Sequence, residues 1–177
     1  TKIPLIKHII KNTEVFIFGA IAHCFLQQSQ NLGQSHIPAL SQNFVNQIQE
    51  EKNIHLPTDF LWLDPIQNKT YIDVNPQNNT DIIVDIGPRS VSDLTALMQS
   101  YEQIIWLGPS CWFEKIKCRS SVQDITDHLL FEKKPFIVAG GETAQALLSN
   151  YDQGKIANYL IDAGGAFMTY LSDQELS

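Results

Sequence analysis

Two stretches of this chain share one grammar: a short apolar run, then glycine, then a helical pattern. They are Ile104-Ile105-Trp106-Leu107-Gly108-Pro109-Ser110-Cys111-Trp112-Phe113-Glu114 and Phe136-Ile137-Val138-Ala139-Gly140-Gly141-Glu142-Thr143-Ala144-Gln145-Ala146-Leu147-Leu148. Each puts flexible backbone, a polar residue and a helix N-terminus at the carboxyl end of a buried strand. Open α/β sheets hold their ligands there, and the free N–H groups and the helix dipole favour an anion. The chain therefore reads as a phosphate-handling domain.

Length and charge narrow the field. At 177 residues the chain is one domain with enough material for a proper core. A hydrophobic content of 44% excludes disorder, and a net charge of −7 argues against a nucleic-acid surface. Cys24, Cys111 and Cys118 have no C-x-x-C spacing, so free thiols in a reducing cytoplasm are expected rather than a disulfide framework or a metal site. No apolar run approaches the ~20 residues of a membrane span, and no signal-peptide pattern is visible. The chain begins at Thr1 rather than Met, and the expectation is a piece excised from a longer protein.

Strands are expected at 14–17, 60–63, 81–85, 103–107, 135–139 and 159–161, and helices at 3–11, 20–30, 38–51, 90–101, 120–131 and 142–150. Pro38 suits a first helical turn and Ser90 a helix cap. Strand alternating with helix predicts an α/β fold, a Rossmann-like three-layer α/β/α sandwich with a mainly parallel sheet. The apolar runs 82–86 and 104–107 predict strands buried on both faces. The polar stretch 67–80 reads as an edge excursion in which Tyr71-Ile72-Asp73-Val74 alternates like a hairpin strand.

Several segments, in order, resemble the C-terminal domain of phosphoglycerate kinase. Lys2-Ile3-Pro4-Leu5-Ile6 resembles that family's "DKIxLI", the stretch from Val15 to Leu26 its "IIGGGMAFTFL", and Leu32-Gly33-Gln34-Ser35 its "IGxS". Leu56-Pro57-Thr58-Asp59-Phe60 resembles "LPVDF", and Val84-Asp85-Ile86-Gly87-Pro88-Arg89-Ser90 resembles "GLDIGPxS". The two glycine turns resemble "WNGPxGVFE" and "GGGDTA", and the tail from Ala163-Gly164-Gly165-Ala166 to Glu175-Leu176 resembles "GGGASLEFLEGKEL". The resemblance covers essentially the whole chain.

It implies a single nucleotide-binding domain over 1–177, the C-terminal half of a kinase whose N-terminal, phosphoglycerate-binding domain is absent from this chain. The implied cofactors are ATP or ADP with Mg2+. Lys2 matches the lysine that follows the transferring phosphoryl group. Glu142 matches the acid that holds the metal, and Thr143 the neighbour that meets phosphate. Glu114 matches the acid on the ribose hydroxyls. Gly19, Ala20, Gly33, Gly108, Pro109, Gly140 and Gly141 match positions around the nucleotide, and Gly164 and Gly165 those of the last glycine turn.

The departures gather in the site. Phe18-Gly19-Ala20 stands where the family has three glycines, Leu107 where it has Asn, and Cys111-Trp112-Phe113 where it has "GVF". Glu142 is one methylene longer than the family's Asp. Asp162 puts a carboxylate at a helix start where phosphate should dock, so it can cap that helix and repel the ligand.

The leading expectation is the nucleotide half of a cytoplasmic, monomeric glycolytic phosphotransferase. As the full-length protein it passes a phosphoryl group between 1,3-bisphosphoglycerate and ADP, whereas the isolated chain is expected to be inactive. Its substrate partner, 1,3-bisphosphoglycerate or 3-phosphoglycerate, is reached through the missing domain, and neither nucleic acid nor membrane is an expected partner. A related pseudoenzyme with a degraded nucleotide site is the alternative. An unrelated Rossmann-like oxidoreductase is disfavoured because Phe18-Gly19-Ala20-Ile21-Ala22 replaces G-x-G-x-x-G after the first strand.

Overall fold

The computed structural model describes residues 2–112, 120–149, 151, 159–161 and 164–173. Glu114, Cys118 and Asp162 lie outside them, as does the side chain of Lys2.

The elements run α1 (Lys2–Ile9), β1 (Val15–Phe16), α2 (Ala20–Leu26), α3 (Gln42–Gln49), β2 (Ile54–His55), β3 (Phe60–Asp64), β4 (Lys69–Asp73) and β5 (Ile82–Ile86). They continue with α4 (Pro88–Gln99), β6 (Ile104–Leu107), α5 (Ser120–Phe131), β7 (Phe136–Ala139), α6 (Gly141–Leu148), β8 (Leu160–Ile161) and α7 (Gly164–Asp173). β1 pairs with β2, and β7 with both β6 and β8, all in parallel, which gives the α/β layering expected.

Two expectations are corrected. The run 82–86 is not a parallel strand, because β5 pairs antiparallel with β3, whose other neighbour is the hairpin strand β4. An apolar run reports burial, and burial does not distinguish the two pairings. Nor is β6 buried on both faces: Trp106 is 4% exposed but its neighbour Ile105 is 43% exposed. β1 and β6 face each other across an apolar cavity of about 290 Å³ lined by Phe16, Phe18, Ile104 and Ile105 among others.

Two cores result. In the first, Val91, Leu94 and Met98 of α4, Val122, Ile125 and Leu129 of α5, and Ala146 and Leu147 of α6 pack on Trp106, Phe136 and Val138. In the second, Ile6, Ala22, Phe25, Phe44, Val45 and Ile48 gather α1, α2 and α3 around Ile17. α1 also packs along α7.

Helix starts explain two further differences. Helix α3 begins at Gln42 rather than Pro38, because Ser41 is its cap and its Oγ accepts from Phe44 N at 3.2 Å. α4 begins at Pro88, with Ser90 inside its first turn rather than capping it. Its cap comes from elsewhere: the buried Asp59 accepts from Arg89 N at 3.0 Å and from Ser90 N at 2.7 Å. Ser90 Oγ in turn accepts from Thr58 N and Asp59 N. The Asp of Leu56-Pro57-Thr58-Asp59-Phe60 and the Ser of Gly87-Pro88-Arg89-Ser90 thus form one buried lock.

Candidate nucleotide site

A cleft of about 420 Å³ opens where α2, the loop after β6 and α6 converge on β5. Its lining includes Gly19, Ala20, Pro109 and Glu142, so the structure gathers four of the sequence-predicted positions from three separate turns. Gly19 makes this possible: its φ is 64°, and a Cβ there would lie 3.3 Å from Pro109 O. Gly140 N-caps α6, and the start of α7 packs against it so closely that a Cβ on Gly164 would lie 2.8 Å from Gly140 Cα. Gly141 and Gly165 face open space.

Other positions fall elsewhere. Gly33 does not line the cleft; its backbone presses on Asp81, whose carbonyl oxygen a Cβ would approach to 2.1 Å. Lys2 is the first residue of α1.

The cleft also holds residues to which the sequence motifs gave no role. His23 lies on the cleft side of α2, 5% exposed, and its Nδ1–H donates to His36 O at 2.7 Å. Burial holds its pKa below the ordinary value, which keeps the ring neutral. Asp85 forms part of the cleft floor at 1% exposure and accepts from Ser121 N at 3.2 Å, from both Ser120 and Ser121 hydroxyls, and from Ile86 N. Burial pushes its pKa up to about 7 against the opposing pull of those donors. His23 falls three residues after Ala20, within one helical turn, and that spacing was the available signal; Asp85 stands as the acid of the Val84-Asp85-Ile86-Gly87-Pro88 stretch, but its partners in α5 were not legible there.

The departures lie in the cleft itself. Phe18 and Leu107 line both the cleft and the apolar cavity, and Phe18 meets Trp106 edge-on with centroids 6.4 Å apart. Trp112, 45% exposed, forms part of the wall.

The helix starts differ in a way that bears on chemistry. α3, α4 and α5 have their first N–H groups occupied by Ser41, Asp59 and Asp85. α2 and α6, which open on the cleft, have glycine N-caps, and among the described residues no side chain bonds the N–H groups of their first turns. In the first turn of α6, Thr143 Oγ1 is buried without a hydrogen-bond partner among the described residues. Free N–H donors, a positive dipole end and an idle hydroxyl suit phosphate oxygens. Glu142, exposed on the same turn, is the carboxylate available to a metal there. Among the described residues no three His, Cys, Asp or Glu side chains cluster as a metal cage. Magnesium fits such a place, since it is commonly bound through one or two carboxylates plus phosphate oxygens and water.

Glycine turns at the carboxyl ends of parallel strands, converging on one cleft, define an α/β domain built to hold a ligand at its strand ends. Comparison with known proteins narrows the class to one family: the family model "Phosphoglycerate kinase" matches residues 1–174, and the chain belongs to that family. The phosphoglycerate kinase of Baumannia cicadellinicola subsp. Homalodisca coagulata is 29% identical over 179 residues, covering 99% of this chain and 46% of the relative. That of Wigglesworthia glossinidia brevipalpis is 28% identical over 182 residues, with the same coverage of 99% and 46%. Among solved structures, phosphoglycerate kinase from Coxiella burnetii superposes with a TM-score of 0.80 at 25% identity, over 99% of this chain and 47% of that one. The Pyrococcus horikoshii OT3 enzyme shares the fold, with a TM-score of 0.76 at 15% identity, over 99% of this chain and 47% of its own. The chain thus spans about half the length of the relatives it matches.

Proposed function

We propose that the cleft binds an adenine nucleotide and that this domain is the nucleotide-binding half of a phosphoglycerate kinase. In the whole protein a phosphoryl group passes between 1,3-bisphosphoglycerate and ADP. The observation that carries this reading is the contrast in helix starts: three are capped by the protein's own side chains, and at the two beside the cleft no side chain among the described residues takes that place. The N–H groups of Gly141, Glu142 and Thr143, with Thr143 Oγ1, would receive phosphate oxygens. Gly19, Ala20, Gly108, Pro109 and Trp112 would bracket the base and sugar, with Glu114 on the ribose hydroxyls. Glu142 would hold magnesium, which supplies charge neutralisation for the phosphates. Lys2, Thr143, Gly164 and Gly165 are proposed to meet the transferring group when the second domain closes. Such catalysis is mostly positioning and charge stabilisation, so half of the site achieves little alone. A cytoplasmic monomer is proposed with it; among the described residues no helix is long and apolar enough to cross a membrane.

The test is calorimetric titration of MgADP into the chain, with Glu142→Ala and Asp162→Thr alongside. Binding between about millimolar and micromolar, or −4 to −8 kcal/mol, weakened by Glu142→Ala, supports the reading. A second reading, a pseudoenzyme, is favoured by Phe18, Leu107 and Trp112 crowding the cleft. It predicts silence in the wild-type chain, and gain of binding with Asp162→Thr would identify the carboxylate that blocks the site.

A further inference from the structure

The cleft wall that carries Pro109, Cys111 and Trp112 has no regular secondary structure, yet it is anchored by a backbone bond and by a side chain, among other contacts. In the backbone bond, Trp112 N donates to Val84 O at 2.7 Å. On the side-chain route, Ser110 Oγ lies 2.6 Å from Ser121 Oγ, and Ser121 Oγ donates to Asp85 Oδ1. Ser110, Ser121 and Asp85 are 2%, 1% and 1% exposed, so water does not compete for these bonds. A hydroxyl has a single proton. Ser121 gives its own to the carboxylate and accepts from Ser110.

The cap on α5 does not need Ser110. Asp85 already receives Ser121 N, Ser121 Oγ, Ser120 Oγ and Ile86 N. What the Ser110 hydroxyl adds is attachment of the loop to that cap. We propose that Ser110 is a positioning residue for the cleft: through Ser121 and Asp85 it hangs the Pro109–Trp112 wall on the start of α5 and sets the width open to a flat aromatic base. The ligand class rests on the nucleotide reading above, whereas the positioning of the wall does not.

Two readouts keep these apart. Ser110→Ala and Ser110→Thr are made in the whole chain, and amide hydrogen exchange is followed in 110–112 and in α5, together with MgADP titration. In Ser110→Ala, exchange in 110–112 speeds up while α5 keeps its protection, and the Kd for MgADP weakens about tenfold; Ser110→Thr, which keeps the hydroxyl, returns both towards wild type. Unchanged exchange in 110–112 overturns the proposal. So does equal loss of protection across α5, which would make Ser110 a part of the cap. If the wild-type chain binds no MgADP, the nucleotide reading falls and the exchange data alone decide whether Ser110 positions the wall.

Discussion

At neutral pH the Asp85 carboxyl stands near its midpoint, since burial pushes it up to about 7 from an ordinary 3.8. A raised carboxyl pKa means that folding favours the protonated form. Its contribution to stability is therefore full below about pH 4 and is lost as pH rises through about 7. Asp85→Asn, which stays neutral, should remove that dependence, so the wild type loses more stability between pH 5 and pH 8 than the variant does in urea unfolding. His23 works in the opposite sense: its lowered pKa contributes stability above about pH 6.5 that is lost in acid. The comparison with Asp85→Asn cancels it. A second residue-scale prediction concerns Gly33, whose φ of 56° and contact with the Asp81 carbonyl leave no room for a side chain. Gly33→Ala should cost about 2–4 kcal/mol, read as a lower urea midpoint. Glycine in Leu32-Gly33-Gln34-Ser35 was legible as a special position; that its nearest neighbour is the Asp81 backbone was not.

Among the elements, α4 shows what buried capping contributes. Asp59, 6% exposed, serves Arg89 N, Ser90 N and Ser90 Oγ, and packs where any side chain on Gly87 would collide with it. Asp59→Ala should cost about 2–4 kcal/mol, while Asp59→Asn, which keeps one acceptor, should cost less; thermal unfolding of both variants checks this. Helices α4 and α5 were legible as elements, because their apolar residues recur at helical spacing, and α5 spans Ser120–Phe131 as expected. The two-residue strand β2 was absent from the predicted elements, and the helix α7 entered only as an unbounded helix starting at Asp162. Two residues carry no period, and the Gly164–Asp173 stretch opens on two glycines that read as a turn. The start of α4 was misplaced because its capping acid lies some thirty residues upstream, beyond any local signal.

On the scale of the molecule, the chain spans 46% of its relatives' length, and under the proposed function it would supply one wall of a site completed by a second domain. The isolated chain should bind MgADP between about millimolar and micromolar yet give no phosphoryl transfer in a coupled assay with 1,3-bisphosphoglycerate; appreciable turnover would overturn the split-site reading. The sequence by itself determined the class of fold, the family and the two glycine turns, because these rest on local periodicity and on residues adjacent in the chain. Only the tertiary structure decided that β5 runs antiparallel to β3, since burial alone does not report strand direction. It also decided which helix starts are capped by distant side chains and which, among the described residues, are not, and that Ser110, Ser121 and Asp85 meet in one buried chain. These are contacts between residues far apart along the backbone, set by how helices settle on strands, and no spacing in the sequence encodes them.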